Sequence, residues 1–316
     1  MNIKSILGNI RRKNFHKRNK LFFDYTGQDA ENQIYEHILS GKPMMICRFG
    51  SGELESLCRF MTYADHKSKL SKFWDYFSGR NSVFLPDIHD YDGLQNNAGV
   101  FNIDPKGLED FKDAYLSSIP LIDILGSWRE DENNPYIKPF YNKDMIRIPL
   151  QCLEPYYFDN PWSRILEDKK VLVIHPFAQS IESQYKHHDK LFTNPNILPN
   201  FELKTIKAIQ SIAGQPTPFP TWLAALNNMK EQITAAEFDI ALIGCGAYGL
   251  PLAAHCKSIG KQAVHMGGAL QILFGIKGKR WDETPKISAL YNDYWTRPSE
   301  SEKPRAASSV EGACYW

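Results

Sequence analysis

The sequence predicts an α/β protein with a Rossmann-like, mostly parallel sheet flanked by helices. Strand-like and helix-like patterns alternate through its second half, and two glycine-rich turns each follow an apolar run and open a helix pattern. Such alternation is typical of βαβ units, whose crossovers place neighbouring strands parallel. The length of 316 residues, with 43% hydrophobic and 23% charged residues, suits a globular chain that buries a sizeable core.

The predicted elements of the first half are short and separated by polar stretches. Gly41 and Pro43 end the first helix pattern, and apolar residues at helical spacing define the next one. The stretch 87–105 is polar and is predicted to be mostly loop. The elements predicted here are helices at 30–40 and 51–63 and strands at 44–49, 82–86 and 145–150.

In the second half of the chain, strand-like and helix-like hydrophobic patterns alternate more clearly. Compact apolar runs predict strands, and stripes with a period of three to four residues predict the helices between them. Ligands of such sheets bind beyond the carboxyl ends of the strands. The strands are predicted at 170–175, 203–212, 238–244 and 262–266, and the helices at 178–191, 219–233 and 248–259.

Charge is divided unevenly along the chain. The net charge is +1, but residues 1–20 hold seven cations and no acidic residue, which leaves 30 basic against 36 acidic residues elsewhere. Ile3, Ile6, Leu7 and Ile10 recur at helical spacing beside the cations, a pattern of short amphipathic helices that contact anionic membranes. A frayed, solvated terminus is the alternative. The near-neutral total excludes a protein that packs nucleic acid.

The cysteines and the apolar runs indicate a cellular compartment. Six cysteines are scattered without a C-x-x-C pair, mostly beside apolar or small residues, which predicts buried free thiols in a reducing environment. No apolar run approaches the ~18 residues of a membrane span, and residues 1–20 lack the apolar region of a signal peptide. The predicted location is the cytoplasm, at the inner face of the cell membrane if the basic segment binds there.

The turn at 244–249 has the pattern G-x-G-x-x-G between a predicted strand and a predicted helix. Glycines allow a sharp turn and a close ligand, and free amides at a helix N-terminus favour phosphate. A dinucleotide site would also need an acidic residue about 20 positions later, and residues 264–268 contain none, which weakens a dehydrogenase. A turn that only packs helix on strand is the alternative. The nucleotide-binding residues predicted here are Gly244, Gly246, Tyr248 and Gly249.

A second glycine turn reads Arg48-Phe49-Gly50-Ser51-Gly52-Glu53. Arg48 ends a predicted strand, where a guanidinium suits a phosphate or carboxylate. Glu53 falls in the first helical turn, where it could contact a metal or a sugar hydroxyl. A favourable interaction with the helix dipole, worth ~0.3–1 kcal/mol, is the alternative for Glu53.

Two more strand ends carry candidate residues. A glycine pair followed by cations suits a diphosphate, with a solvated basic loop as the alternative. His175 is a candidate general base or hydrogen-bond donor, with a purely structural role as the alternative. The acidic segment 87–92 matches no defined cation cage. No P-loop or G-x-S-x-G pattern supports phosphoryl transfer or serine hydrolysis. The diphosphate candidates are Gly267, Gly268, Gln271, Lys277 and Arg280.

These motifs resemble the GT-D fold class of bacterial glycosyltransferases, most closely a GT-D-like branch found near polysaccharide-assembly genes. The resemblance covers about 30–316 and is most specific over 165–282. It implies a Rossmann-like fold, a nucleotide-diphosphate sugar donor and a divalent cation, Mn²⁺ or Mg²⁺, held through an Asp-x-Glu pair. The segments that carry it are 48–53, 175–177, 184–185, 238–249, 267–271, 274–281 and 311–316.

This chain departs from the family at the metal pair, which is Ser51-x-Glu53 here. Glu53 is carried over as a metal ligand or a residue of the diphosphate region. Because a hydroxyl is a poor Mg²⁺ or Mn²⁺ ligand beside a carboxylate, either the diphosphate holds the metal or cations such as Lys277 and Arg280 replace it.

The resemblance implies a cytoplasmic glycosyltransferase that moves a sugar onto a glycan or lipid-linked acceptor in bacterial surface polysaccharide synthesis. Glu53 and His175 are its candidate catalytic residues. The chain is expected to divide into a basic tail at 1–25, a catalytic domain at 26–297 and a tail at 298–316. Within the catalytic domain, an N-terminal part at 26–165 precedes the nucleotide-binding core at 166–297. Two alternatives stay open: a non-catalytic protein that binds sugar nucleotides, and an enzyme that uses NAD or S-adenosylmethionine on the same fold.

Overall fold

A single parallel sheet organises the protein. The computed structural model describes residues 3–83, 91 and 93–316, with side chains from residue 7 onward. Most of the strand predicted at 82–86 and of the acidic segment 87–92 lies outside the described residues. The strands are β1 (Met44–Cys47), β2 (Ile124–Ser127), β3 (Ile146–Pro149), β4 (Lys170–His175), β5 (Glu202–Lys207), β6 (Ile240–Ile243) and β7 (Gln262–His265).

All described strand pairings are parallel, in the order β3-β2-β1-β7-β6-β4-β5. The chain leaves β4 outward to β5, whereas it leaves the neighbouring β6 in the opposite direction to β7. Such a reversal opens a crevice at the carboxyl ends of the strands. The predicted α/β fold class is therefore confirmed, and the crevice lies where the predicted glycine turns are.

The helices cover both faces of the sheet. In β4, Val171 and Val173 belong to one apolar core, and Leu172 and Ile174 belong to the other. This alternation buries both faces and explains why the strands are continuously apolar. The helices are α1 (Ile3–Asn19), α2 (Gly27–Leu39), α3 (Ser51–Ala64), α4 (Lys69–Phe77), α5 (Pro105–Ser118), α6 (Ala178–Tyr185), α7 (His188–Leu191), α8 (Trp222–Ala235), α9 (Gly249–Ser258), α10 (Leu270–Leu273), α11 (Lys279–Asp282) and α12 (Pro285–Ser288).

Two predicted elements differ by more than a few residues from the observed ones. The helix predicted at 178–191 is divided into α6 and α7, because no buried side chain holds the chain to the core between Gln184 and Leu191. The strand predicted at 203–212 ends at Lys207, and residues 209–212 line the cleft described below instead. All six cysteines are buried and free, as predicted.

Helix α1 is docked on the region that follows α4. Arg11 donates to the carbonyl of Ser82 (2.6 Å), and Asn19 Nδ2 donates to the carbonyl of Gly79 (2.8 Å). A Cβ on Gly79 would lie 2.4 Å from the backbone nitrogen of Phe15, so the backbones approach closely. None of the described helices is long and apolar enough to cross a bilayer.

Glu31 of α2 predicts a pH dependence of stability. It is fully buried, accepts a hydrogen bond from the backbone N–H of Trp162, and its Oε1 has no partner among the described residues. Burial raises its pKa from 4.5 to about 8. Between these values the folded protein keeps a proton that the unfolded chain releases, so stability falls as pH rises. The slope for one such group is about 1.4 kcal/mol per pH unit.

We expect Glu31→Gln to flatten this fall, because an amide cannot ionise and still accepts from Trp162. The measurement is urea unfolding between pH 7 and 8, above the ordinary histidine pKa of 6.5, so that the buried neutral His175 and His265 contribute little to the slope. Equal slopes for the variant and the wild type would show that Glu31 titrates normally.

Candidate functional site

A cleft of about 620 Å³ opens at the carboxyl ends of β1, β4, β6 and β7. It brings together most of the site residues that the sequence predicted. Lys277 and Gly249 are not among the described lining residues. The predicted residues that line it are Arg48, Gly50, Ser51, Glu53, His175, Gly244, Gly246, Tyr248, Gly267, Gly268, Gln271 and Arg280.

Arg48 is the central cation of the cleft. Its Nε donates to the carbonyl of Phe49 (3.0 Å), and its guanidinium lies 4.9 Å from the ring centroid of Trp128. No described carboxylate lies within 4 Å of it, and its terminal nitrogens have no described hydrogen-bond partner. Burial lowers its pKa and the nearby Glu53 raises it, but a guanidinium stays charged in proteins. The cleft therefore holds a fixed cation with free donors.

Glu53 folds back over the start of α3. A Cβ on Gly50 would lie 1.9 Å from Glu53 Oε2, so glycine is needed there for the carboxylate to take this position. Glu53 is 8% exposed; burial raises its pKa, while its own backbone N–H and Arg48 lower it. The motif thus places a carboxyl and a guanidinium of opposite charge along one wall.

His175 is a neutral imidazole. Its Nδ1 accepts a hydrogen bond from the backbone N–H of Phe177 (3.0 Å), which places the proton on Nε2. Burial lowers its pKa to about 3. Of the two roles that the sequence left open, this arrangement favours the hydrogen-bond donor.

His265 also lines the cleft, although no sequence motif indicated it. Its hydrogen-bonding pattern is the reverse of that of His175. Its Nδ1 lies 3.1 Å from the carbonyl of Ile243, so Nδ1 carries the proton and Nε2 keeps its lone pair. Burial lowers its pKa to about 4. A Cβ on Gly249 would lie 2.0 Å from this ring. Gly249 therefore makes room for His265 instead of contacting a ligand in the cleft.

The turn at 244–249 is tightly packed. Gly246 has φ +56° and its Cβ would lie 2.8 Å from the carbonyl of Ala98, which also accepts from the backbone N–H of Ala247 (3.0 Å). The Tyr248 ring stacks on Trp222, with centroids 5.4 Å apart. The glycine turn thus has features of both interpretations of the motif. It packs the helix on the strand, and its Gly244 and Gly246 line the cleft.

Of the remaining diphosphate candidates, Lys277 lies outside the cleft, whereas Gln271 and Arg280 line it. Lys277 Nζ lies 5.2 Å from the ring centroid of Tyr291, outside the cleft lining. The buried Gln271 uses its Nε2 on three backbone carbonyls, at Ile276, Lys277 and Tyr315. Arg280 does line the cleft, so it is the second cation there.

The C-terminal segment forms another wall. Arg280 pairs with Glu311, and its guanidinium lies 4.9 Å from the ring centroid of Tyr315. A Cβ on Gly268 would lie 2.5 Å from the Tyr315 ring, so this glycine admits the segment. Glu302 fastens the segment to α6 by accepting from the backbone N–H of Gln179 (2.8 Å). Residues assigned to a tail thus complete the cleft.

Two further lining residues lacked a sequence signal. Trp128 follows the unpredicted strand β2 and donates through Nε1 to the carbonyl of Phe49 (3.0 Å). Glu154 lies in a stretch rich in proline and tyrosine, where its Oε2 accepts from the hydroxyl of Tyr156 (2.9 Å). Burial raises the pKa of Glu154 to about 6. It is therefore a second carboxyl suited to proton transfer near neutral pH.

The donor set does not match a protein-built metal cage. Among the described residues, no three His, Cys, Asp or Glu side chains come together as metal ligands. Ser51 and Glu53 supply one carboxylate and one hydroxyl to the cleft, too few for hard cations that take six or more oxygens. Mn²⁺ or Mg²⁺ dependence stays a prediction.

One solved structure is similar to this chain: the selenomethionine-substituted structure of domain of unknown function 1792 (DUF1792). The TM-score is 0.44 at 11% sequence identity, and the similarity covers 92% of this chain and 96% of that one. The likeness concerns the fold alone. No protein-family model and no curated protein matches the sequence.

Proposed function

We propose that the protein is a glycosyltransferase that uses a nucleotide-diphosphate sugar and acts on a glycan or lipid-linked acceptor of bacterial surface polysaccharide. The observation that carries the proposal is Arg48, a charged guanidinium with free donors in a cleft at the switch point of a parallel sheet. The volume of the cleft, about 620 Å³, is in the range of small-molecule sites. The resemblance to GT-D glycosyltransferases supports the same reading.

In this proposal Arg48 and Arg280 balance the charge of the diphosphate. During transfer the bond between the anomeric carbon and the diphosphate oxygen breaks, and negative charge develops on that oxygen. Preorganised donors aimed at such charge lower the barrier most in a site that excludes water. Arg280 is already held by Glu311 and Tyr315, so it needs little rearrangement to take part.

The acceptor hydroxyl forms the new bond to the anomeric carbon and gives its proton to a carboxylate. Two carboxyl groups line the cleft with raised pKa values, Glu53 and Glu154. We assign the proton acceptor to Glu53, because Glu154 already accepts from Tyr156. Neutral His175 can donate to a donor-sugar hydroxyl through Nε2. A divalent cation, if used, would be held mainly by the diphosphate and would neutralise the leaving group.

A non-catalytic protein that binds sugar nucleotides is the second candidate. The observation that favours it is Ser51, which stands where the GT-D pair has an aspartate. Such a protein would keep the cleft and Arg48 but would not turn the donor over.

The test is a thermal-shift panel of UDP-, GDP-, CMP- and TDP-sugars with and without Mn²⁺. Ligand at a hundredfold excess over Kd stabilises a folded protein by about 2.7 kcal/mol, and we expect such a shift with one of the UDP-, GDP- or TDP-sugars. CMP-sugars, which carry a single phosphate, are the control and should give none. A shift with NAD or S-adenosylmethionine, and none with any sugar nucleotide, would overturn the proposal. A shift without hydrolysis or transfer, with candidate acceptors supplied, would favour the binding protein.

A further inference from the structure

Helix α4 carries an apolar stripe that is partly exposed to solvent. Leu70, Phe73, Trp74 and Phe77 recur at positions i, i+3, i+4 and i+7, the spacing of one helix face. Leu70 is 67% exposed and Trp74 is 57% exposed, and no residue of α4 is buried. Helices in globular proteins normally turn such a stripe toward the core, so the large exposed areas of Leu70 and Trp74 indicate an external partner.

The partner's charge is indicated by α1, which packs beside α4. Arg11 lies over the Tyr76 ring of α4 (4.4 Å to the centroid), and Asn14 Nδ2 donates to the carbonyl of Phe77 (3.1 Å). The outward side of α1 is cationic. From residue 7 onward, where its side chains are described, its exposed cations are Arg12, Lys13, Lys17 and Arg18, and its exposed apolar residues are Leu7 and Ile10.

We propose that α1 and α4 together form a face that docks on an anionic membrane surface. An apolar stripe rich in aromatic residues beside a basic helix is the chemistry that an interface of acyl chains and anionic headgroups binds. A second copy of this chain fits less well, because the cations of α1 would repel one another across a symmetric contact. Leu70 and Trp74 enter the headgroup layer, and α1 lies among the phosphates.

The face formed by α1 and α4 lies close to the main cleft, so docking would orient the cleft relative to the membrane. A second cavity of about 440 Å³ lies between α1, α3 and α4, with Arg11, Arg59 and Arg129 among its lining. Glu55 lines both this cavity and the main cleft. Docking through α1 and α4 thus places the membrane beside an arginine-lined cavity that adjoins the main cleft.

The test uses the full chain and sedimentation with vesicles of phosphatidylcholine, with and without 30% phosphatidylglycerol. We expect binding to the anionic vesicles that weakens at high salt. Leu70→Glu/Trp74→Glu is expected to lower the partition coefficient about tenfold or more, since two apolar side chains no longer leave water. Both residues are exposed, so the fold is kept. Leu39→Glu/Tyr294→Glu, at exposed positions outside α1 and α4, controls for added charge.

A spectroscopic readout identifies the inserted residue. Quenching of tryptophan fluorescence by brominated acyl chains is expected in the wild type and is expected to decrease in Trp74→Phe, which keeps an apolar ring. The proposal is overturned if Leu70→Glu/Trp74→Glu binds vesicles as the wild type does. It is also overturned if the wild type does not bind anionic vesicles but forms a dimer that this double variant lacks. Donor thermal shifts do not depend on vesicles, so they report the proposed function separately.

Discussion

Arg48→Ala should remove the donor-dependent thermal shift and lower kcat/KM by about 10²–10³-fold, the loss typical of deleting one preorganised donor. The only described hydrogen bond of Arg48 goes to the carbonyl of Phe49, which Trp128 also contacts. Truncation therefore leaves the backbone anchored, and the loss is expected in binding and turnover more than in folding. The measurements are donor titration by thermal shift and initial rates at several donor concentrations.

Two further variants test whether the loss is specific to the guanidinium of Arg48. Arg48→Lys keeps the charge but replaces a planar fork of donors by a point charge, so we expect an intermediate defect. Arg12→Ala removes an exposed arginine of α1 and should leave donor binding in solution unchanged. If Arg48→Ala binds and turns over donor within threefold of the wild type, Arg48 does not hold the diphosphate.

Glu53→Gln should keep donor binding and lower transfer and donor hydrolysis by about 10²–10⁴-fold, the range contributed by a general base. The amide has nearly the volume of the carboxyl, so it can occupy the same space over Gly50. What it loses is the ability to accept a proton. The expected signature is a normal thermal shift with a greatly reduced kcat.

Glu36→Gln and Glu154→Gln complete this comparison. Glu36 is exposed on α2, and its substitution should change neither binding nor turnover. If Glu154→Gln abolishes turnover while Glu53→Gln does not, the proton acceptor is Glu154. If both variants turn over normally, no carboxyl of this wall acts as the base.

The second half of the fold could be predicted because its patterns are local. The strand at 170–175 was predicted with its observed bounds, and Gly244 and Gly267 mark the ends of strands. Arg48 and Glu53 could also be placed, since a strand end and a first helical turn position side chains from short-range sequence alone.

The rest of the site depends on contacts that are distant along the chain. Strand β2 has four residues and includes a glycine, so its pattern is too short to identify, and Trp128 was missed with it. Glu154 acquires its raised pKa from burial that only the assembled core creates. The exposed stripe of α4 obeys helical spacing, but spacing does not tell which way a helix faces.

His175 and His265 have one consequence for how activity should respond to acidity. With pKa values of about 3 and 4, both rings are uncharged above about pH 5 and keep their opposite hydrogen-bond polarities. An acid limb in a rate profile would then report a carboxyl group of the cleft, either Glu53, the assigned proton acceptor with its raised pKa, or Glu154, whose pKa is about 6, and not an imidazole. The two histidines are polar groups of the cleft wall whose charge does not change near neutral pH, whereas Glu154 changes its charge close to it.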